Sequence, residues 1–166
     1  MIYTLYGQPG SGKTTLGKLL AEHLNTPFII DGDEFRGMFD NNNYSMVGRQ
    51  ENLKNANAVA TYLNKKARGG NWMTIYCRDT PNSIKGRPVN KETHVVMCLV
   101  NPYEDIRKDL KQNNQDQVTE ILLESDRDLR KDYHVLDFEV GNPDHIINTD
   151  SPADDTWHLL RGLLEL

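Results

Sequence analysis

The chain has 166 residues, 37% of them apolar, and a formal charge of −5. That length suits one compact domain spanning 1–166, with a core large enough to hold it together. The acidic balance disfavours a nucleic-acid polymer as partner, because such binders carry a basic face, and no apolar run approaches the roughly 20 residues that cross a membrane.

In chain order, Ile2–Tyr6 is a short apolar run that ends at Gly7 and reads as a buried strand. It is too short and too uncharged for a signal peptide, so a cytoplasmic protein is expected. Leu16, Leu19, Leu20 and Leu24 recur at helical spacing. Pro27 breaks that helix, and Phe28-Ile29-Ile30 is a second strand ending at Asp31. Leu53, Ala56, Ala60, Leu63 and Ala67 form another helical stripe, stopped by Gly69-Gly70. Residues 72–77 read as a third strand and 94–100 as a fourth, closed by Asn101-Pro102; Ile106 and Leu110 predict a helix after it. His145–Asn148 is a fifth strand. The last helix has Ser151 as its expected N-cap, Pro152 at its first position and Asp154 in its first turn, with Trp157, Leu160 and Leu164 on its apolar face. Cys77 and Cys98 both fall in strand-like runs, which predicts buried, reduced thiols, and no Cys/His cluster suggests zinc. Residues 79–92 and 111–117 are polar and loop-like, as lids are. Alternating strands and helices predict an α/β fold, a parallel five-stranded sheet with helices on both faces.

Gly7-Gln8-Pro9-Gly10-Ser11-Gly12-Lys13-Thr14 fits the pattern GxxxxGK[ST] without a mismatch. Its glycines let successive backbone N–H groups turn toward phosphate oxygens, and the helix that follows presents its positive end. Gly7, Gly10, Ser11, Gly12, Lys13, Thr14 and Thr15 are therefore the expected ATP-phosphate contacts. Lys13 is expected on the β- and γ-phosphates, and the Thr14 hydroxyl on Mg²⁺. The strand before the loop and the amphipathic helix after it supply the context the motif requires. No Asn-Lys-x-Asp guanine motif or Asp-x-x-Gly switch follows, which leaves a P-loop kinase-like fold with ATP and Mg²⁺ as its cofactors.

The second strand runs into Asp31-Gly32-Asp33-Glu34-Phe35-Arg36. Open parallel sheets bind ligands at the carboxyl ends of their strands, which puts Asp31 and Asp33 beside the P-loop as candidate catalytic carboxylates. Arg36, one helical turn on, is placed to meet an acceptor anion.

These segments resemble the adenylylsulfate kinase (APS kinase) family, which carries the same loop and then Asp-Gly-Asp-x-x-Arg after the second strand. That family continues with an aromatic-Ser segment leading into Asp-Arg-x-Glu-Asn, and here the run is Tyr44-Ser45-Met46-Val47-Gly48-Arg49-Gln50-Glu51-Asn52. The resemblance implies that Tyr44 stacks on the acceptor's adenine and that Arg36, Arg49 and Asn52 bind adenylylsulfate, with Asp33 beside the acceptor hydroxyl. Gly48 replaces the usual aspartate, and the spacing from Arg36 to Tyr44 is one residue short. Gly141-Asn142-Pro143-Asp144 before the fifth strand also matches the family's Asn-Pro-acid strand. In the middle, Arg78-Asp79-Thr80-Pro81-Asn82 stands for the family's Ser-Pro-Tyr-Arg, and residues 107–111 stand for its basic lid. Arg107 is then a candidate for the donor nucleotide, and Lys85 and Arg87 for the missing positive charge.

The implied reaction is transfer of the γ-phosphate of ATP to the 3′-hydroxyl of adenylylsulfate, giving 3′-phosphoadenylylsulfate and ADP. The same residues fit other acceptors: a polynucleotide 5′-hydroxyl, a nucleoside or a modified nucleotide. A nucleotide-binding regulator without turnover is a third reading, and retention of Lys13, Thr14 and both acids speaks against it. The expected partners are small molecules, with no membrane and no preferred nucleic acid, and a homodimer is left open.

Overall fold

A computed structural model of the protein describes residues 1–68, 94–115, 117–127 and 130–166. Its elements are β1 (Ile2–Tyr6), α1 (Lys13–His23), β2 (Ile29–Asp31), α2 (Gly32–Met38), α3 (Met46–Arg68), β3 (Val95–Leu99), α4 (Glu104–Asn114), β4 (Val118–Glu124), a 3₁₀ turn (Lys131–Tyr133), β5 (His145–Asn148) and α5 (Ala153–Leu163). Among the described residues the strands form one five-stranded sheet in the order β2-β3-β1-β4-β5. All four pairings are parallel, so every strand ends on the same edge. This is the P-loop kinase fold.

Strand pleating sends alternate side chains to opposite faces, and two separate cores result. Val95, Met97 and Leu99 of β3 pack with Leu53, Ala56 and Ala60 of α3 and with Ile106 and Leu110 of α4. Val96 and Cys98 point the other way, to Leu16, Leu20 and Ala21 of α1 and Leu160 of α5. Both faces of β3 are buried, which explains its unbroken apolar run. No helix among the described residues is long and apolar enough to cross a membrane.

The sheet differs from the sequence reading in its membership. Residues 72–77, Cys77 and Gly69-Gly70 lie outside the described residues. The described sheet also includes a strand that sequence periodicity did not reveal, Val118–Glu124, because Glu120 interrupts its apolar run. That carboxylate is only 4% exposed, and Lys111 Nζ stands 3.7 Å from it. The loop expected over 111–117 is also corrected. Lys111 through Asn114 complete the last turn of α4, and the Gln117 carbonyl already accepts from Ile2 N at 2.7 Å. At the C-terminal helix, Pro152 rather than Ser151 occupies the N-cap position and no side chain caps it. The Thr156 hydroxyl instead donates back to the Pro152 carbonyl at 3.1 Å.

Candidate active site

The P-loop occupies the turn between β1 and α1, on the edge where all strands end. Gly7 is required by a close approach: a Cβ there would lie 2.2 Å from the Leu123 carbonyl oxygen. No side chain caps the first turn of α1, whose N-cap is Gly12, so its backbone N–H groups remain for an anion. Lys13 folds back over its own loop, donating to the Gln8 carbonyl at 2.7 Å and to Ser11 Oγ at 3.3 Å. Burial pushes its pKa down to about 8; Asp31 and Asp33 oppose that shift, and the charge of Arg130 adds to it.

Asp31 ends β2 and starts α2. One carboxylate oxygen caps that helix, accepting from Asp33 N at 3.1 Å, and the other accepts from Thr14 Oγ1 at 2.6 Å. The P-loop hydroxyl and the first acid of Asp31-Gly32-Asp33 are thus in contact. Asp33 is exposed beside them. Among the described residues no group of three or more His, Cys, Asp or Glu side chains could hold a metal alone. A hydroxyl and a carboxylate side by side fit Mg²⁺, which keeps waters and takes phosphate oxygens as its other ligands.

One cleft of about 1110 Å³ joins this donor end to the expected acceptor residues. Its walls include Gly10, Gly12, Lys13, Thr14 and Thr15, then Asp31, Asp33, Arg36, Tyr44, Arg49 and Asn52. That size is at the upper end of, or above, a usual single-ligand pocket. The Arg36 guanidinium lies over the Tyr44 ring, 4.6 Å from its centroid, and donates to the Asn43 carbonyl at 3.1 Å. Asn52 is 4% exposed and its Oδ1 has no hydrogen-bond partner.

The short loop before α3 explains Gly48. The Ser45 hydroxyl accepts from Gly48 N at 3.4 Å as an N-cap does, and Asn41 Nδ2 donates to the Gly48 carbonyl at 3.0 Å. A Cβ at 48 would lie 2.2 Å from the Asn43 carbonyl oxygen. With one residue fewer in the loop, no side chain fits there.

Arg107 does not reach the cleft, which corrects its expected role at the donor nucleotide. It is 1% exposed, stacked 4.3 Å from the centroid of the Tyr6 ring, and its guanidinium donates to the Asn101, Glu139 and Val140 carbonyls. It holds the 139–140 segment against β1. Residues 79–92, with Lys85 and Arg87, lie outside the described residues.

Sequence reasoning missed the cleft wall after β4. Arg130, Asp132, Tyr133, His134 and Val135 line the cleft beside the P-loop. The signal was a pair of arginines, Arg127 and Arg130, behind the run Ile121-Leu122-Leu123. Once that run is a parallel strand, whatever follows it must lie on the ligand edge. Arg78-Asp79-Thr80-Pro81-Asn82, which stand for the family's Ser-Pro-Tyr-Arg, lie outside the described residues; β3 leads into Asn101-Pro102-Tyr103-Glu104.

The AAA domain family matches residues 6–124, from the end of β1 through β4. The chain belongs to that family. Among curated relatives, the cytidylate kinase of Methanococcoides burtonii is 58% identical over 38 residues, which cover 23% of this chain and 22% of that protein. The cytidylate kinase of Pyrobaculum arsenaticum is 25% identical over 137 residues, 80% of this chain and 65% of that one. The chain therefore spans less than two thirds of the length of the curated relatives it matches. Among solved structures, the APS kinase CysC of Mycobacterium tuberculosis, in complex with AMPPNP and APS, superposes with a TM-score of 0.71 at 20% identity, covering 99% of this chain and 97% of that one. At such identity the likeness establishes the fold of this AAA domain protein.

Proposed function

We propose that the protein is an ATP-dependent kinase that phosphorylates the 3′-hydroxyl of adenylylsulfate. One observation carries the reading: the P-loop and the set Asp33, Arg36, Tyr44, Arg49 and Asn52 line a single cleft. Lys13 and the first turn of α1 bind the ATP phosphates. Thr14 and Asp31 would hold Mg²⁺, which when bound neutralises charge on the phosphates. Asp33 orients the acceptor hydroxyl and takes its proton as the oxygen attacks the γ-phosphorus. The bond from that phosphorus to the bridging oxygen breaks, and ADP leaves with the electron pair. Tyr44 has one ring face against Arg36 and is 61% exposed, which leaves the other face for adenine. Arg36 and Arg49 meet the phosphate–sulfate anion. The buried Asn52 Oδ1 accepts from the acceptor.

A cytidylate kinase reading draws on the curated relatives. Its acceptor would be a phosphate, and the exposed Asp33 carboxylate beside the transferred group would repel it, whereas a hydroxyl acceptor uses that charge. Arg49→Ala tests the assignment. It raises the KM for adenylylsulfate about 10- to 100-fold, as loss of a charge-assisted contact does, and leaves the KM for ATP near wild type. An arginine that only decorates α3 would leave both constants unchanged and lower stability slightly.

A further inference from the structure

Gln8 occupies a position of the P-loop where the phosphate cradle needs only backbone. Its side chain is nonetheless fully engaged. Nε2 donates to the Val135 carbonyl at 2.9 Å, and Oε1 accepts from Val135 N at 2.9 Å. The carboxamide thus pairs with one residue's backbone as a neighbouring strand would, and among side chains only Asn and Gln offer donor and acceptor together in that way. The main chain of Gln8 faces the other direction, where its carbonyl accepts from Lys13 Nζ at 2.7 Å and from Ser11 N at 3.2 Å.

The residues just after β4 are pinned as well. Ser125 Oγ donates to Asp150 Oδ1 at 2.6 Å, and Arg127 Nη2 donates to the Thr149 carbonyl at 2.6 Å. Thr149 in turn donates to the Ser11 carbonyl at 3.1 Å. Arg130 takes a left-handed conformation with φ 56° and lines the same cleft as Lys13. A non-glycine residue in that region is held there by its surroundings.

We infer that Gln8 is a positioning residue, whose side chain clamps the Arg130–Val135 turn over the phosphate cradle and so sets the Arg130 guanidinium against bound ATP. The inference rests on the reading that this cleft binds ATP; it does not depend on which acceptor is used. The P-loop thereby carries its own strap. The backbone of residues 7–14 holds the phosphates from below, and the side chain of the same loop fixes a second cation above them.

The test is a double-mutant cycle on ATP affinity, measured by calorimetry with MgATP and no acceptor. Gln8→Leu and Arg130→Ala each weaken ATP binding about 10-fold, in line with one charge-assisted contact. The double variant binds no worse than Arg130→Ala alone, because the clamp acts through that arginine. Gln8→Glu keeps the acceptor for Val135 N and loses the donor, and it gives an intermediate loss. Melting temperatures of all four proteins are read alongside. Additive losses in the double variant, or wild-type ATP affinity in a folded Gln8→Leu protein, would overturn the inference. Intact coupling together with no turnover on adenylylsulfate would support the clamp and sink only the acceptor assignment. Absence of ATP binding in the wild type would overturn both.

Discussion

Lys13 is the residue in which folding and function pull apart. The residue is 8% exposed, and its ammonium rests on a carbonyl and a hydroxyl of its own loop. Burial lowers its pKa to about 8, well below the unfolded value of about 10.4. The folded chain therefore disfavours the charged form. That cost is fully present below about pH 8 and is relieved as pH rises toward the unfolded value. Bound triphosphate reverses the balance by supplying negative charge. Near pH 8, ATP binding should take up about half a proton per site, falling to about a tenth at pH 7. Calorimetry in two buffers of different ionisation enthalpy measures this directly. In Lys13→Met the uptake disappears, turnover falls about 10²-fold or more, and the melting temperature of the nucleotide-free protein does not drop. A binding enthalpy independent of buffer at pH 8 would contradict the account.

At the scale of elements, α1 approaches β3 through Gly17. A Cβ at that position would lie 2.1 Å from Cys98 Sγ and 3.5 Å from a Val96 methyl. Cys98 is 3% exposed, and burial pushes its thiol pKa up to about 12, so it is a small apolar wedge rather than a nucleophile. Alanine is favoured over glycine in a helix by about 1 kcal/mol, whereas overpacking costs roughly 1–3 kcal/mol. Gly17→Ala should therefore destabilise the protein in urea unfolding. Adding Cys98→Ala should restore much of the loss by vacating the space. A Gly17→Ala protein more stable than wild type would show that the helix has room to move.

Other elements show what a sequence can and cannot disclose. β1, the P-loop and α2 were legible because their chemistry depends on spacing, and the spacing is written in consecutive residues. β4 was not, since its central Glu120 is tolerated only through partners elsewhere in the chain. Lys111 lies 3.7 Å from that carboxylate, and the charges of Lys111 and Arg107 oppose the cost of burying it. With β4 hidden, the cleft wall after it, Arg130 included, was hidden as well. Periodicity identifies an arginine on a helix; it does not tell that three backbone carbonyls have already claimed its guanidinium.

Across the described residues, five parallel strands all end on one edge, and the cleft there joins the P-loop to the proposed acceptor residues. The phosphate end follows from the P-loop alone. The acceptor end depends on an exposed carboxylate, an aromatic ring backed by an arginine, a second arginine and an amide oxygen without a partner. On the proposed reading, that combination recognises a hydroxyl on an anionic adenine nucleotide rather than a phosphate acceptor. The most direct measurement gives the wild-type protein γ-labelled ATP with one acceptor at a time: adenylylsulfate, cytidine monophosphate, a 5′-hydroxyl oligonucleotide and free nucleosides. Label should pass to adenylylsulfate, and ADP release should depend on it. Label appearing on cytidine monophosphate, or on the oligonucleotide, with none on adenylylsulfate would contradict the proposed function.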